Sequence, residues 1–197
     1  MGYLMIWKGL SNLLKNQNEE FKSPGQTEAQ KLLTQSMYEK NLKKKEEILL
    51  KCLKLSQNNP IDLHYTYNHL IDLYYKQRET RSDALKLCIY YCLKDIELFP
   101  KFKKASIEQD FVIKRKLQRL FAHDKSEFKR YEKEIKEYKW NPPQIPSFKR
   151  LAIIYEKMGK YEEAISVCEK AIRYGLTDGT KIGFEGRIEK IKKKMKN

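Results

Sequence analysis

Four cysteines and three histidines are the side chains of this sequence best suited to bind a metal or to act as nucleophile and base. Cys88 and Cys92 are four residues apart, so a helix would present both sulfur atoms on one side, as a zinc site requires. No histidine stands at a ligand spacing from this pair. We therefore expect both cysteines to pack as small apolar residues in the core.

The histidines lack the partners that a catalytic reaction needs. His64 and His69 are five residues apart and would point in different directions from a helix. No serine, cysteine or aspartate accompanies a histidine in a pattern typical of a nucleophile and its base. The glycines form no phosphate-binding loop. We predict a protein that is not an enzyme and has no cofactor, metal site or catalytic residues.

The spacing of the cysteines also indicates a compartment. The four cysteines are too few and too widely placed along the chain to suggest a disulfide framework. The N-terminus does not resemble an export signal, and no apolar run is long enough to span a bilayer. We expect free thiols and a cytoplasmic location.

The net charge of +15 has two interpretations. A basic chain can bind nucleic acid or an acidic membrane surface. However, 33 lysines outnumber eight arginines, and most lysines alternate with glutamates along the chain, whereas arginine is the usual residue for bidentate phosphate recognition. We favour a solvated surface. The densest basic run, Lys190–Lys196, keeps nucleic-acid binding open as an alternative.

The elements that carry these residues are predicted to be helices. Glycine is absent from residues 26–158, and prolines at 24, 60, 100 and 142–146 divide the chain into units of roughly 36 to 46 residues. Each unit has the length of a helical hairpin with its connector, and proline separates helices. Thr27 is a plausible N-cap of the first helix, and we expect Phe99 and Pro100 to end another.

Two of these units contain the same pattern of large and small residues. The first pattern is Leu70, Tyr74, Ala84 and Cys88, and the second is Leu151, Tyr155, Ala164 and Cys168. A single hairpin cannot bury both of its faces, so a chain that repeats it stacks the copies. We predict an all-α fold of about four hairpins, with a C-terminal helix that caps the stack through Phe184, Ile188, Ile191 and Met195.

Residues 1–24 are expected to form a separate N-terminal amphipathic segment and linker, followed by the helical repeat domain at 25–197. Tyr3, Trp7, Leu10 and Leu14 recur at helical spacing in that segment. The segment either packs on the first hairpin or makes a weak contact with a membrane surface or a partner, because tryptophan beside lysine suits an interface.

The last hairpin resembles a tetratricopeptide repeat, a unit of 34 residues. The matching positions are Phe148, Leu151, Ala152, Tyr155, Gly159, Tyr161, Ala164, Cys168 and Ala171. The unit around Leu70 resembles the same family with one extra residue in its turn. The general pattern is similar to bacterial tetratricopeptide-repeat proteins. This resemblance implies a right-handed superhelical solenoid whose first helices line a concave groove.

The resemblance also implies a function, which is to bind a peptide or helical segment of a partner protein in that groove. The groove residues expected from the register are Tyr65, Asn68, Asp72, Tyr75, Lys76, Lys149, Ile153, Glu156 and Lys157. Asp72 and Ile153 stand where members that clamp a terminal carboxylate have asparagine, so we do not expect such a clamp. The alternatives are a nucleic-acid-binding adaptor that uses the basic C-terminal helix and a peptide-sensing regulator. The identity of the partner and the oligomeric state stay open.

Overall fold

The computed structural model describes residues 26–196. The predicted amphipathic segment at 1–24 lies outside the described residues. The described part of the chain consists of α-helices and their connectors and has no β-strand. Its helices are α1 (Glu28–Tyr38), α2 (Leu42–Leu55), α3 (Pro60–Gln77), α4 (Ala84–Leu120), α5 (Lys125–Lys136), α6 (Pro146–Lys157), α7 (Tyr161–Arg173) and α8 (Gly183–Met195).

Polar caps at the starts of α1, α2 and α3 fix the helix boundaries of the first two units. Thr27 accepts a hydrogen bond from the Gln30 N–H, and the Gln30 side chain bonds back to the Thr27 N–H. This capping box confirms the predicted N-cap. Asn41 caps α2, and Asn59 caps α3 with Pro60 in its first turn, where the missing N–H of proline has no intrahelical partner to lose.

Small residues allow α3 and α4 to approach closely, as the repeated pattern predicts. Ala84 and Cys88 on α4 are fully buried, as is Leu70 on α3. Tyr74 of α3 stacks on Tyr91 of α4 with ring centroids 5.7 Å apart. We call α3 and the first half of α4 (residues 84–100) the middle hairpin.

The prediction that Phe99 and Pro100 end a helix is wrong, because α4 runs through both residues. Proline lacks a backbone N–H, and its ring crowds the carbonyl group of Ile96, four residues earlier. Burial on both sides of the proline outweighs this cost, since Phe99 is fully buried and Phe102 is 1 % exposed. Pro100 itself lies on the exposed side of the helix, so its ring displaces no packed neighbour.

The second half of α4 and α5 form a two-helix arm (residues 101–136). The predicted helix–turn–helix of the third unit is present, but its first helix continues from the middle hairpin. Phe121 stacks on Tyr131 with ring centroids 5.8 Å apart, and Lys114 pairs with Glu134 at 2.6 Å. Tyr131 is the buried residue of α5, so this arm has a thin core of its own.

The last hairpin (α6 and α7) is tightly packed. The small residues Ala152, Ala164, Cys168 and Ala171 are fully buried. Gly159 joins the helices with a φ of 73°, a left-handed conformation that glycine adopts at no steric cost. The resemblance to a tetratricopeptide hairpin correctly predicted these positions.

Aromatic side chains connect the middle and last hairpins directly. The Phe99 ring lies 4.7 Å from the Tyr174 ring and 5.8 Å from the Phe148 ring, measured between centroids. Helix α6 packs on both α4 and α3. The arm therefore projects beside this contact and does not separate the two hairpins.

Helix α8 covers the end of the last hairpin, as predicted. Phe184 and Ile191 are buried, with Phe184 in the main core, and α8 packs on α7. Ile188 is partly buried, whereas Met195, the last residue of the predicted stripe, is exposed. The described residues thus confirm an all-α helical-repeat fold with a capping helix. The right-handed superhelix stays a prediction.

The continuity of α4 predicts an unusual response to proline removal. Pro100→Ala restores the missing N–H and removes the ring clash, so it should raise the free energy of unfolding by about 1–3 kcal/mol, measured by urea denaturation. Pro146→Ala is the matched control, because proline is tolerated in the first turn of α6, and it should have little effect or destabilise slightly. A clear loss of stability in Pro100→Ala would contradict a continuous α4.

The close approach of α6 and α7 predicts intolerance to a larger side chain. Ala164→Leu should lower the free energy of unfolding by about 1–3 kcal/mol, because the added atoms enter a filled core. The control is Ser166→Leu, two residues along the same helix at an exposed position, which should change stability by less than about 0.5 kcal/mol. Equal effects of the two substitutions would show that α7 does not pack through Ala164.

Candidate partner-binding groove

Five of the predicted groove residues lie on α3, and three of them share one side of that helix. Tyr65, Asp72 and Lys76 are spaced by seven and four residues, which places them on a single face. Asp72 and Lys76 form an ion pair of 2.7 Å, and both side chains are about half exposed or more. Such a pair stabilises a helix by only about 0.2–0.5 kcal/mol, so both charges remain accessible to a partner.

Tyr65 packs against the start of the arm. Its ring centroid lies 6.4 Å from that of Phe102 and 5.3 Å from that of His64. Burial raises the pKa of Tyr65, and the Asp110 carboxylate raises it further. Tyr65 is half-buried. A partner could therefore contact only part of its ring.

Asn68 belongs to a buried hydrogen-bond chain that the sequence did not indicate. His64 Nδ1 lies 2.6 Å from Asp95 Oδ1, and both side chains are almost completely buried. Asn68 Nδ2 lies 3.0 Å from His64 Nε2, so the amide donates to Nε2 while Nδ1–H donates to Asp95. Because both ring nitrogens are engaged, His64 has no free nitrogen to deprotonate a nucleophile. The core, in turn, holds Asn68 in place.

The Tyr75 ring contacts two guanidinium groups. The Arg78 guanidinium is 4.2 Å from the ring centroid, and the Arg150 guanidinium is 3.7 Å from it. Arg78 pairs with Glu79 and donates a hydrogen bond to the Tyr75 carbonyl oxygen. Tyr75 thus connects the exposed side of α3 to α6, which carries Arg150.

The four predicted groove residues of α6 make different contacts. Lys149 donates a hydrogen bond of 2.8 Å to the Asp178 carbonyl oxygen, and Glu156 pairs with Lys194 and Arg187 of α8. These two side chains therefore face the C-terminal part of the chain. Ile153 lines a cleft, and Lys157 is exposed.

The cleft has a volume of about 250 Å³ and lies where three segments meet. The end of the connector before α6, one side of α6 and the loop after α7 form its walls. The lining residues are Gln144, Ile145, Pro146, Lys149, Arg150, Ile153, Thr177, Asp178 and Gly179. This volume lies below the roughly 300–1,000 Å³ of typical small-molecule pockets, and it suits a single side chain.

Charges around the cleft favour an anion. Burial opposes ionisation of Asp178, but hydrogen bonds from Thr180 and the Arg187 guanidinium outweigh it and hold the pKa of this carboxyl group below its usual value. The Thr180 N–H and hydroxyl both donate to Asp178 Oδ1, and Arg187 contacts Oδ2 at 3.2 Å. The carboxylate is thus already satisfied, whereas Lys149 and Arg150 have no carboxylate partner among the described residues.

Several residues of this site were not predicted from the sequence. Arg150 directly follows the predicted Lys149, but a register taken from one helix does not show that it meets Tyr75 of another. The loop at 177–179 carries a weak sequence signal for a turn, which is Gly179. In the structure this glycine has a φ of 73°. His64 and Asp95 are 31 residues apart, and their pairing has no local sequence signal.

The cysteines pack as predicted. All four are free and buried, and Cys88 Sγ lies 3.6 Å from the Ile71 carbonyl oxygen. Burial raises the pKa of the Cys168 thiol to about 12, so this thiol stays protonated at neutral pH. Over residues 26–196, no cluster of three or more histidine, cysteine or acidic side chains is arranged to hold a metal ion.

Among residues 26–196, no helix is both long and apolar enough to cross a bilayer.

Comparison with known proteins identifies the last hairpin. The tetratricopeptide repeat family model matches residues 145–174, from the residue before α6 to the residue after α7. No curated protein and no solved structure matches the chain. Members of this repeat family are, in general, protein–protein interaction modules. The relationship to the tetratricopeptide repeat family that the sequence indicated is therefore confirmed at α6 and α7.

Proposed function

We propose that this chain is a scaffold or adaptor that binds an extended or helical segment of a partner protein along the exposed sides of α3 and α6. The observation that carries the proposal is the cleft beside Ile153, which the contact between Arg150 and Tyr75 connects to α3. A surface that combines an apolar wall with cations that have no carboxylate partner offers both the buried contact and the orientation that peptide binding needs.

The predicted groove residues have different roles in this proposal. Ile153 provides the central apolar contact, and Asp72, Lys76 and Lys157 provide polar contacts at its edge. Lys149 and Glu156 support the site by holding the loop and α8 against α6. Tyr65 and Asn68 are half-buried and form the base of the proposed binding surface on α3.

We propose a cytoplasmic location, supported by the free, buried thiols.

Nucleic-acid binding through α8 remains the alternative function. Lys190, Lys192 and Lys193 are exposed on this helix. Lys194, however, is paired with Glu156 at 2.6 Å, and no aromatic residue separates the lysines of this run, whereas single-strand binding sites usually combine cations with stacking rings. The described contacts therefore favour a protein partner.

The proposal predicts that an apolar-to-acidic change in the cleft weakens partner binding. Peptides selected from a displayed random library on the wild-type protein serve as probes, with affinity measured by fluorescence anisotropy. Ile153→Asp should weaken binding by about tenfold or more, because it places a charge at the centre of the contact. Val112→Asp is the matched control, since Val112 is an exposed apolar residue of the arm, and it should leave affinity unchanged.

Two results would contradict the proposal. One is equal affinity of the wild type and Ile153→Asp for every selected peptide. The other is binding to random-sequence RNA or DNA that weakens steeply with salt and is lost on changing Lys190, Lys192 and Lys193 to glutamine together, with no peptide enriched.

A further inference from the structure

Arg150 lies against an aromatic ring and has no carboxylate partner among the described residues. Its guanidinium lies 3.7 Å from the Tyr75 ring centroid, a distance at which the ring attracts a cation. No carboxylate of the described residues pairs with it. The Tyr75 ring therefore restricts this side chain while leaving its N–H donors available.

The surroundings of Arg150 define what it can bind. Arg150 lines the 250 Å³ cleft together with Lys149 and Ile153. The carboxylate nearest the cleft, Asp178, is bonded to Thr180 and Arg187 and does not neutralise Arg150. A carboxylate accepts the paired N–H groups of a guanidinium better than any other common side chain does.

We propose that the cleft receives a glutamate or aspartate side chain from within the partner segment, and that Arg150, positioned by Tyr75, is the residue that selects it. This inference rests on the proposed function and adds the chemistry of the partner. The apolar wall formed by Ile145, Pro146 and Ile153 contacts the methylene groups of the acidic side chain.

An internal side chain fits this site better than a C-terminal carboxylate. The cleft volume suits one side chain. By the register that the tetratricopeptide resemblance implies, Asp72 and Ile153 stand where clamps for a terminal carboxylate use asparagine. Among the residues that line the cleft, Gln144 alone has a side-chain amide. Recognition of a carboxylate in the cleft therefore depends on the cations Lys149 and Arg150.

The test uses the selected peptides with an acetylated N-terminus and an amidated C-terminus, so that only side chains supply a carboxylate. Replacing the critical acidic residue of the peptide with its amide, Glu→Gln or Asp→Asn, should weaken binding to the wild-type protein about tenfold to a hundredfold. Arg150→Gln should weaken binding of the acidic peptide by a similar factor. The amide peptide should bind the wild type and Arg150→Gln equally, because the two changes remove one shared interaction.

Matched variants separate this effect from a loss of folding. Arg173→Gln removes the same charge at an exposed site of α7 and should leave affinity unchanged. Tyr75→Leu removes the ring that positions Arg150 and should weaken binding of the acidic peptide more than binding of its amide counterpart, whereas Tyr75→Phe keeps the ring and should weaken it less than Tyr75→Leu does. The Glu→Gln and Asp→Asn substitutions in the peptide test the need for an acidic side chain on the unaltered protein, even if an Arg150 variant unfolds.

Three results would overturn the inference. In the first, selected peptides lack a required acidic residue although Ile153→Asp abolishes their binding; the proposed function then stands without Arg150 selection. In the second, amidation of the C-terminus removes binding while Glu→Gln does not, which identifies a terminal carboxylate. In the third, no peptide is enriched, which overturns the proposed function as well.

Discussion

The contact of Phe99 with the last hairpin is the interaction on which the rest of the fold depends. Phe99 is fully buried and touches rings from three other segments: Phe148 of α6, Tyr174 after α7 and Trp140 of the connector. Aromatic pairs at these distances add about 0.5–1.5 kcal/mol each beyond the burial of their area. This cluster holds α4 helical at Pro100 and joins two hairpins that are more than forty residues apart in sequence.

The same contact determines where the candidate site lies. Because α6 packs on α4 and α3, Arg150 of α6 reaches Tyr75 of α3. The connector and the loop after α7 then enclose the cleft beside Ile153. A stack in which the third unit separated these hairpins would place Tyr75 and Arg150 too far apart to touch. The packing of Phe99 therefore determines both the stacking of the two hairpins and the position of the candidate site.

The last hairpin was predictable from the sequence because its signals are local. Ala152, Ala164 and Cys168 fall at helical spacing around Gly159, and each is buried where a close helix approach requires a small residue. The N-cap at Thr27 was equally local. These patterns depend on neighbours within one or two turns, and they are visible without knowledge of the tertiary fold.

Features that depend on distant residues were not predictable. Pro100 was expected to end a helix because its local cost is clear, whereas the burial of Phe99 that outweighs this cost comes from residues 140, 148 and 174. The pairing of His64 with Asp95 and the position of Arg150 on Tyr75 also require the packed structure. The predicted groove residues Lys149 and Glu156 are directed toward the C-terminal part of the chain for the same reason.

Hydrogen exchange followed by mass spectrometry in increasing urea tests most directly whether the middle and last hairpins form one packed unit. Amide groups in the first half of α4, in α6 and in α7 should lose protection together, and at higher urea than those of the arm, because cooperative opening follows shared burial. Loss of protection in α6 and α7 while the first half of α4 stays protected would contradict the direct stacking through Phe99.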